Sequence, residues 1–114
     1  QHIACFTDNI YETVETMRRQ GVQFLDTPNA YYDVIDARIP NHGEDVARMK
    51  QNKILIDADA ETKQKLLLQI FTQNAVGPIF FEIIQRKGNT GFGEGNFQAL
   101  FESIEREQMR RGVL

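Results

Sequence analysis

Residues Leu66 to Phe97 constrain this chain more than any other stretch. They read LLLQIFT, a turn through Gly77 and Pro78, IFFEIIQR, and then the loop GNTGFGEGNF. Two apolar segments rich in β-branched and aromatic residues, separated by turn chemistry, predict neighbouring strands of one sheet. Each carries one polar side chain inside its apolar run, Gln69 in the first and Glu82 in the second. Alternation along the second strand puts Glu82 with Phe80 and Ile84 on one face, and Phe81, Ile83 and Gln85 on the other. A carboxylate in that company is costly to bury unless a metal ion, a basic side chain or a proton meets it.

The rest of the chain reads as a frame for those strands. Gln1 to Thr7 predicts a strand. A helix follows, capped by Asn9 with Glu12 three residues on, striped by Ile10, Val14 and Met17, and closed by Gly21. Val22 to Leu25 predicts a short strand, Tyr31 to Arg38 a helix, and Glu44 to Gln51 another helix with Val46 and Met49 inward. Ile54 to Ala60 predicts a strand leading into an acidic turn. A final helix starts near Asn96, with Phe97, Leu100, Phe101 and Ile104 at the spacing of one apolar face. Glu102 with Arg106, and Glu107 with Arg111, are spaced for ion pairs on its solvent side. The order is β-α-β, two short helices, β-β-β, α, which is the order of a βαβββ module whose sheet curls around a central space. The fold class is therefore α+β.

A length of 114 residues with 41% hydrophobic residues supplies one domain, or one piece of a larger one, with a real core. Thirteen basic against 16 acidic residues, with no basic run, argue against nucleic acid. No apolar run is long enough to span a bilayer. The single cysteine, Cys5, permits no intrachain disulfide and fits a reducing cytosol. The start at Gln1 rather than Met suggests a chain cut from a longer protein.

Few residues can carry chemistry. His2 in the first strand and Glu82 in a later one are an imidazole and a carboxylate, two of the three ligands of a 2-His-1-carboxylate site for Fe(II). His42 lies in a Pro-Asn-His-Gly loop, expected in solvent, and is poorly placed to be the third. Structural zinc would need more cysteines. The run Asp57 to Glu61 lacks the glycine and ligand spacing of a calcium loop and reads as a solvated turn. Cys5, in an apolar strand, reads as inert. The glycines at 91, 93 and 95 do not have dinucleotide-loop spacing, and Glu94 among them would repel a phosphate. They read as a flexible, tightly turning lead-in to the last helix. Phe92 and Phe97 flank that lead-in, with core packing as their plainest role.

The segments GVQFLDTP, LLLQIFT, FFEIIQRKG and GFGEGNFQALFESIE, together with QHIA at the start, resemble the C-terminal half of the 4-hydroxyphenylpyruvate dioxygenase family. The resemblance covers essentially the whole chain. It implies the vicinal-oxygen-chelate fold, with residues 1–114 as the C-terminal part of the catalytic domain. It also implies an Fe(II)-dependent, non-haem dioxygenase of tyrosine and phenylalanine catabolism, turning 4-hydroxyphenylpyruvate and O2 into homogentisate and CO2. Matched position by position, His2 and Glu82 become iron ligands, the remaining histidine lying before Gln1. Gln1, Gln69, Phe92, Asn96 and Phe97 become substrate-binding residues, the two phenylalanines around the substrate ring. A cytoplasmic homo-oligomer without nucleic-acid or membrane partners is expected. Hydroxymandelate synthase, which shares fold, iron site and substrate, is the alternative activity; Phe97, usually aliphatic there, favours ring hydroxylation. A non-catalytic small-molecule-binding module of the same fold is the alternative from another class.

Overall fold

The computed structural model describes residues 2–75 and 77–111. Four strands form one sheet: β1 (His2–Phe6), β2 (Leu55–Ala58), β3 (Leu66–Phe71) and β4 (Phe80–Lys87), in the spatial order β1-β4-β3-β2. β4 runs parallel to β1 and antiparallel to β3, which is antiparallel to β2. Among the described residues five helices accompany the sheet: α1 (Ile10–Arg19), α2 (Ala30–Asp33), α3 (Ile35–Arg38), α4 (Val46–Asn52) and α5 (Gly95–Arg110). This is the expected α+β arrangement, a βαβββ module with helical insertions and a closing helix.

Register decides what each face presents, because paired residues on neighbouring strands share a face. Glu82 pairs with Ala4 on one side and Phe71 on the other, and Phe80 pairs with His2. His2, Phe71, Phe80 and Glu82 therefore share one face, together with Gln69, Ile84 and Arg86. The opposite face carries Leu68, Ile70 and Ile83, which join Ile10 and Val14 of α1 in the buried core.

Local chemistry explains the elements. The side chain of Asn9 accepts the Glu12 amide at 3.2 Å and caps α1. The reciprocal half of a capping box is absent, because the Asn9 amide is taken by Thr7 Oγ1 instead. The C-terminal end is a Schellman motif: Val22 N–H donates to Met17 O and Gly21 N–H to Arg18 O, with Gly21 at φ 95°. Asp45 caps α4, which starts at Val46, two residues after the expected start at Glu44.

Several expectations are corrected. Val22 to Leu25 is no strand. Only Phe24 bridges Thr72, with Leu25 N–H donating to Phe71 O, beyond the end of β2 along β3. The predicted helix from Tyr31 to Arg38 is broken in two at Val34, whose backbone leaves the helical region. Most of the apolar stripe of α5 turns away from the core: Phe97, Phe101 and Ile104 are exposed, Leu100 of the same stripe packs half-buried against the core, and the buried face is Asn96, Ala99 and Ser103. Small and amide side chains let α5 lie close against β2 and α2, and most of the bulky ones are turned outward. Arg106 donates to Ala30 O rather than pairing with Glu102, which takes Gln98 instead. Glu107 does reach Arg111, although Arg110 is its nearer partner.

Candidate metal and substrate site

His2 Nε2 lies 3.3 Å from Glu82 Oε1. The two side chains come from parallel neighbouring strands, offset by two residues in register, so both project from the same face. Phe80 stacks on the His2 imidazole, with centroids 5.6 Å apart and planes at 17°, and meets Phe71 edge-on at 6.1 Å. Around them lies a cavity of about 510 Å³, lined by His2, Leu25, Phe71, Phe80, Glu82, Phe92, Glu94 and Phe97. Its walls are largely aromatic, and among the described residues its only formal charges are the two carboxylates, with no Lys or Arg in the lining.

Glu82 is buried at 7% exposure, and its neighbours answer the burial question. Gln69 Nε2 donates to Glu82 Oε2 at 2.8 Å. Gln69 Oε1 in turn accepts Asn96 Nδ2 at 2.8 Å. Asn96 Oδ1 accepts the Tyr31 hydroxyl at 2.5 Å. One oxygen of Glu82 is thus committed inward, and the other is presented to His2.

The glycine loop is tied to this amide pair. Gly93 is buried at φ 78°, and a Cβ there would fall 1.7 Å from Gln69 Oε1. Gly95 is similarly close to Asp57, whose carboxylate accepts its amide at 3.0 Å. The loop is therefore pinned rather than loose: Arg86 donates to Asn89 O and Gly91 O, and Glu94 accepts the Phe92 amide. Arg86 also sits 5.8 Å from the ring centroids of both Phe6 and Phe92.

Of the residues singled out in the sequence, the structure brings His2, Glu82, Phe92 and Phe97 to one cavity. Phe92 and Phe97 are 75% and 76% exposed, so core packing does not describe them. Gln69 and Asn96 are buried behind the cavity wall, their amides spent on each other and on Glu82. Gln1 lies outside the described residues. His42 is not in solvent: its side chain is 6% exposed, bonded to Asp36 and to the Glu44 amide, and pins its own loop far from the cavity. Cys5 is exposed, as is every residue of β1. Asp59 folds its turn, accepting the amides of Thr62, Gln64 and Lys65, which hold its carboxyl well below the usual range. Among the described residues no cluster of three His, Cys, Asp or Glu could hold a metal alone.

Sequence reasoning assigned no role to Phe71, Phe80, Tyr31 or Arg38. Phe80 had a signal, since it lies two residues before Glu82 on the same face. Phe71 needed the strand register, and Tyr31 needed the packing of α2 on α5.

The chain is 62% identical over all 114 residues to a 4-hydroxyphenylpyruvate dioxygenase of Legionella pneumophila. It is homologous to 4-hydroxyphenylpyruvate dioxygenases along its whole length. It is equally similar, 62% over 114 residues, to a Vibrio vulnificus protein named hemolysin VllY. The chain spans about a third of the length of these relatives, 33% and 32% respectively. A solved structure of a mutant 4-hydroxymandelate synthase from Streptomyces coelicolor matches 95% of the chain, which covers 30% of that structure, with a TM-score of 0.73 and 38% identity. The fold is accordingly that of the vicinal-oxygen-chelate proteins. No protein-family model matches the chain.

Proposed function

We propose that this chain forms the carboxylate-bearing part of a non-haem Fe(II) dioxygenase that converts 4-hydroxyphenylpyruvate and O2 into homogentisate and CO2. The observation that carries the proposal is the convergence of His2 Nε2 and Glu82 Oε1, 3.3 Å apart, at the wall of an aromatic cavity. An imidazole nitrogen and a carboxylate oxygen are the donor set that a 2-His-1-carboxylate iron site needs from two of its three ligands. The third is a histidine outside this chain.

Charge supports the same reading. The substrate is an anionic 2-oxo acid, whereas among the described residues the cavity offers two carboxylates and no basic side chain. A divalent cation held by His2 and Glu82 would cancel the charge of the two carboxylates and remove that repulsion. When bound, Fe(II) would supply the Lewis acidity and oxygen activation that the reaction requires.

The chain's own residues do the positioning. Glu82 offers one oxygen because Gln69 holds the other. Phe80, stacked on His2, fixes the plane of the imidazole. Phe71, Phe92 and Phe97 supply apolar surface for the phenol ring. The working protein is proposed to be a homo-oligomer in the cytoplasm; among the described residues no helix is long and apolar enough to cross a membrane.

The test is turnover of 4-hydroxyphenylpyruvate by the long protein carrying this chain, followed by oxygen uptake and product identity. Homogentisate is expected. Hydroxymandelate as product would favour the activity named for the Streptomyces relative, and no oxygen uptake with Fe(II) supplied would sink the proposal.

A further inference from the structure

Beyond the cavity, the polar side chains behind Glu82 form one line that has only one consistent direction. At one end is Arg38, whose guanidinium donates hydrogen bonds and accepts none. At the other is Glu82, whose Oε2 accepts from Gln69. Between them lie Tyr31, Asn96 and Gln69, all buried.

The Tyr31 hydroxyl has a single proton to allocate. It accepts the Ile56 amide at 2.9 Å, and the Ile56 carbonyl is already served by Arg38. The hydroxyl proton has two acceptors in reach, the Ile56 carbonyl at 3.0 Å, which Arg38 also serves, and Asn96 Oδ1 at 2.5 Å, and the shorter contact assigns it to Asn96. Arg38 Nη2, 3.4 Å from the same oxygen, makes that position unfit for the donating end of the Asn96 amide. Asn96 Nδ2 must then face Gln69 Oε1, and Gln69 Nε2 must face Glu82. Each amide, taken alone, could be turned end for end. Donors at one end and an acceptor at the other leave one orientation for both. The edge strand β2 gains from the same groups, since Ile56 would otherwise leave its amide and carbonyl unpaired.

We propose that Tyr31, backed by Arg38, is a positioning residue that fixes the direction of the Asn96–Gln69 amide relay, so that Glu82 turns a single oxygen toward His2. This rests on the reading of His2 and Glu82 as metal ligands. Tyr31 lies on α2, does not line the cavity and does not touch the metal-facing oxygen.

The experiment uses the long protein carrying this chain, with Co(II) as probe. Co(II) affinity and visible spectrum are measured beside the thermal midpoint and the solvent exchange of the Gln69 side-chain amide in the metal-free protein. Tyr31→Phe removes only the hydroxyl. Asn96→Asp keeps the shape but cannot donate to Gln69. Loss of an outer partner typically weakens metal binding about 10–100-fold; Tyr31→Phe is expected near the lower end and Asn96→Asp near the upper. Both should alter the Co(II) spectrum and speed exchange of the Gln69 amide. A folded Tyr31→Phe protein with unchanged affinity, spectrum and amide exchange overturns the proposal. If Tyr31→Phe does not fold, the same criterion on Asn96→Asp decides. If the parent protein takes up no Co(II), the ligand reading fails and this proposal falls with it. In that case faster Gln69 exchange in the variants would still report the relay itself.

Discussion

The two faces of the sheet are built on opposite rules. The face under α1 is aliphatic and closed: Leu68, Ile70 and Ile83 are between 0% and 4% exposed and meet Ile10 and Val14. The other face holds an imidazole, a carboxylate and two amides, and its aromatic rim at Phe92 and Phe97 stands open. The first face gains free energy by removing apolar surface from water, which is insensitive to direction. The second is directional, the buried hydroxyl, amides and carboxylate from Tyr31 to Glu82 being hydrogen-bonded in series. Stability should therefore reside mainly on one face and function on the other, and substitutions on the two should separate those properties.

The largest expected stability effect lies on the closed face. Leu68→Ala should cost about 2–5 kcal/mol, the range for truncating a buried leucine. Denaturant unfolding would show it, while metal affinity of the folded fraction should not change. A loss of metal binding without a loss of stability would break the division between the faces.

A smaller effect is expected from Gly93→Ala on the open side. A positive φ held by a residue with a Cβ costs on the order of 1–3 kcal/mol. The added methyl would also meet Gln69 Oε1. Metal affinity should fall here together with a modest loss of stability, the reverse weighting to Leu68→Ala. Unchanged affinity would show that the glycine loop does not hold the amide relay.

The smallest effect sits outside both faces, at Glu15. Hydrogen bonds from Arg48 and then Asn52 hold its carboxyl down to about 2, from an ordinary 4.5. A depressed folded-state pKa contributes stability above the ordinary value, and that contribution is lost as pH falls toward 2. Arg48→Met should therefore narrow the stability difference from the parent between pH 4.5 and 2, by a small amount for an exposed pair. A difference that grows on acidification would contradict the sign.

The sequence made β1 to β4 legible because alternation, β-branched runs and turn residues agree, though the same signals misled at Val22 to Leu25, and it made α1 legible because both of its caps are explicit. It also singled out Glu82 correctly as a buried acid in need of a partner. What it could not show was which side of α5 turns inward. Spacing of Phe97, Phe101 and Ile104 identifies an apolar stripe, but closeness of approach selected the side with Asn96, Ala99 and Ser103. His42 was misread for a related reason: a loop position looks solvent-exposed until its partners, Asp36 and the Glu44 amide, are in place. Tyr31 was invisible as a functional residue because its partners are 25 and 65 positions away in the chain.

The central claim is that His2 and Glu82 together grip one metal ion. Equilibrium dialysis of the long protein against Fe(II) under anaerobic conditions tests it most directly, with His2→Ala and Glu82→Ala compared at matched fold by circular dichroism. One iron per chain in the parent, and loss of tight binding in each variant, is the predicted result. Folded variants that retain the parent's stoichiometry and affinity would contradict it.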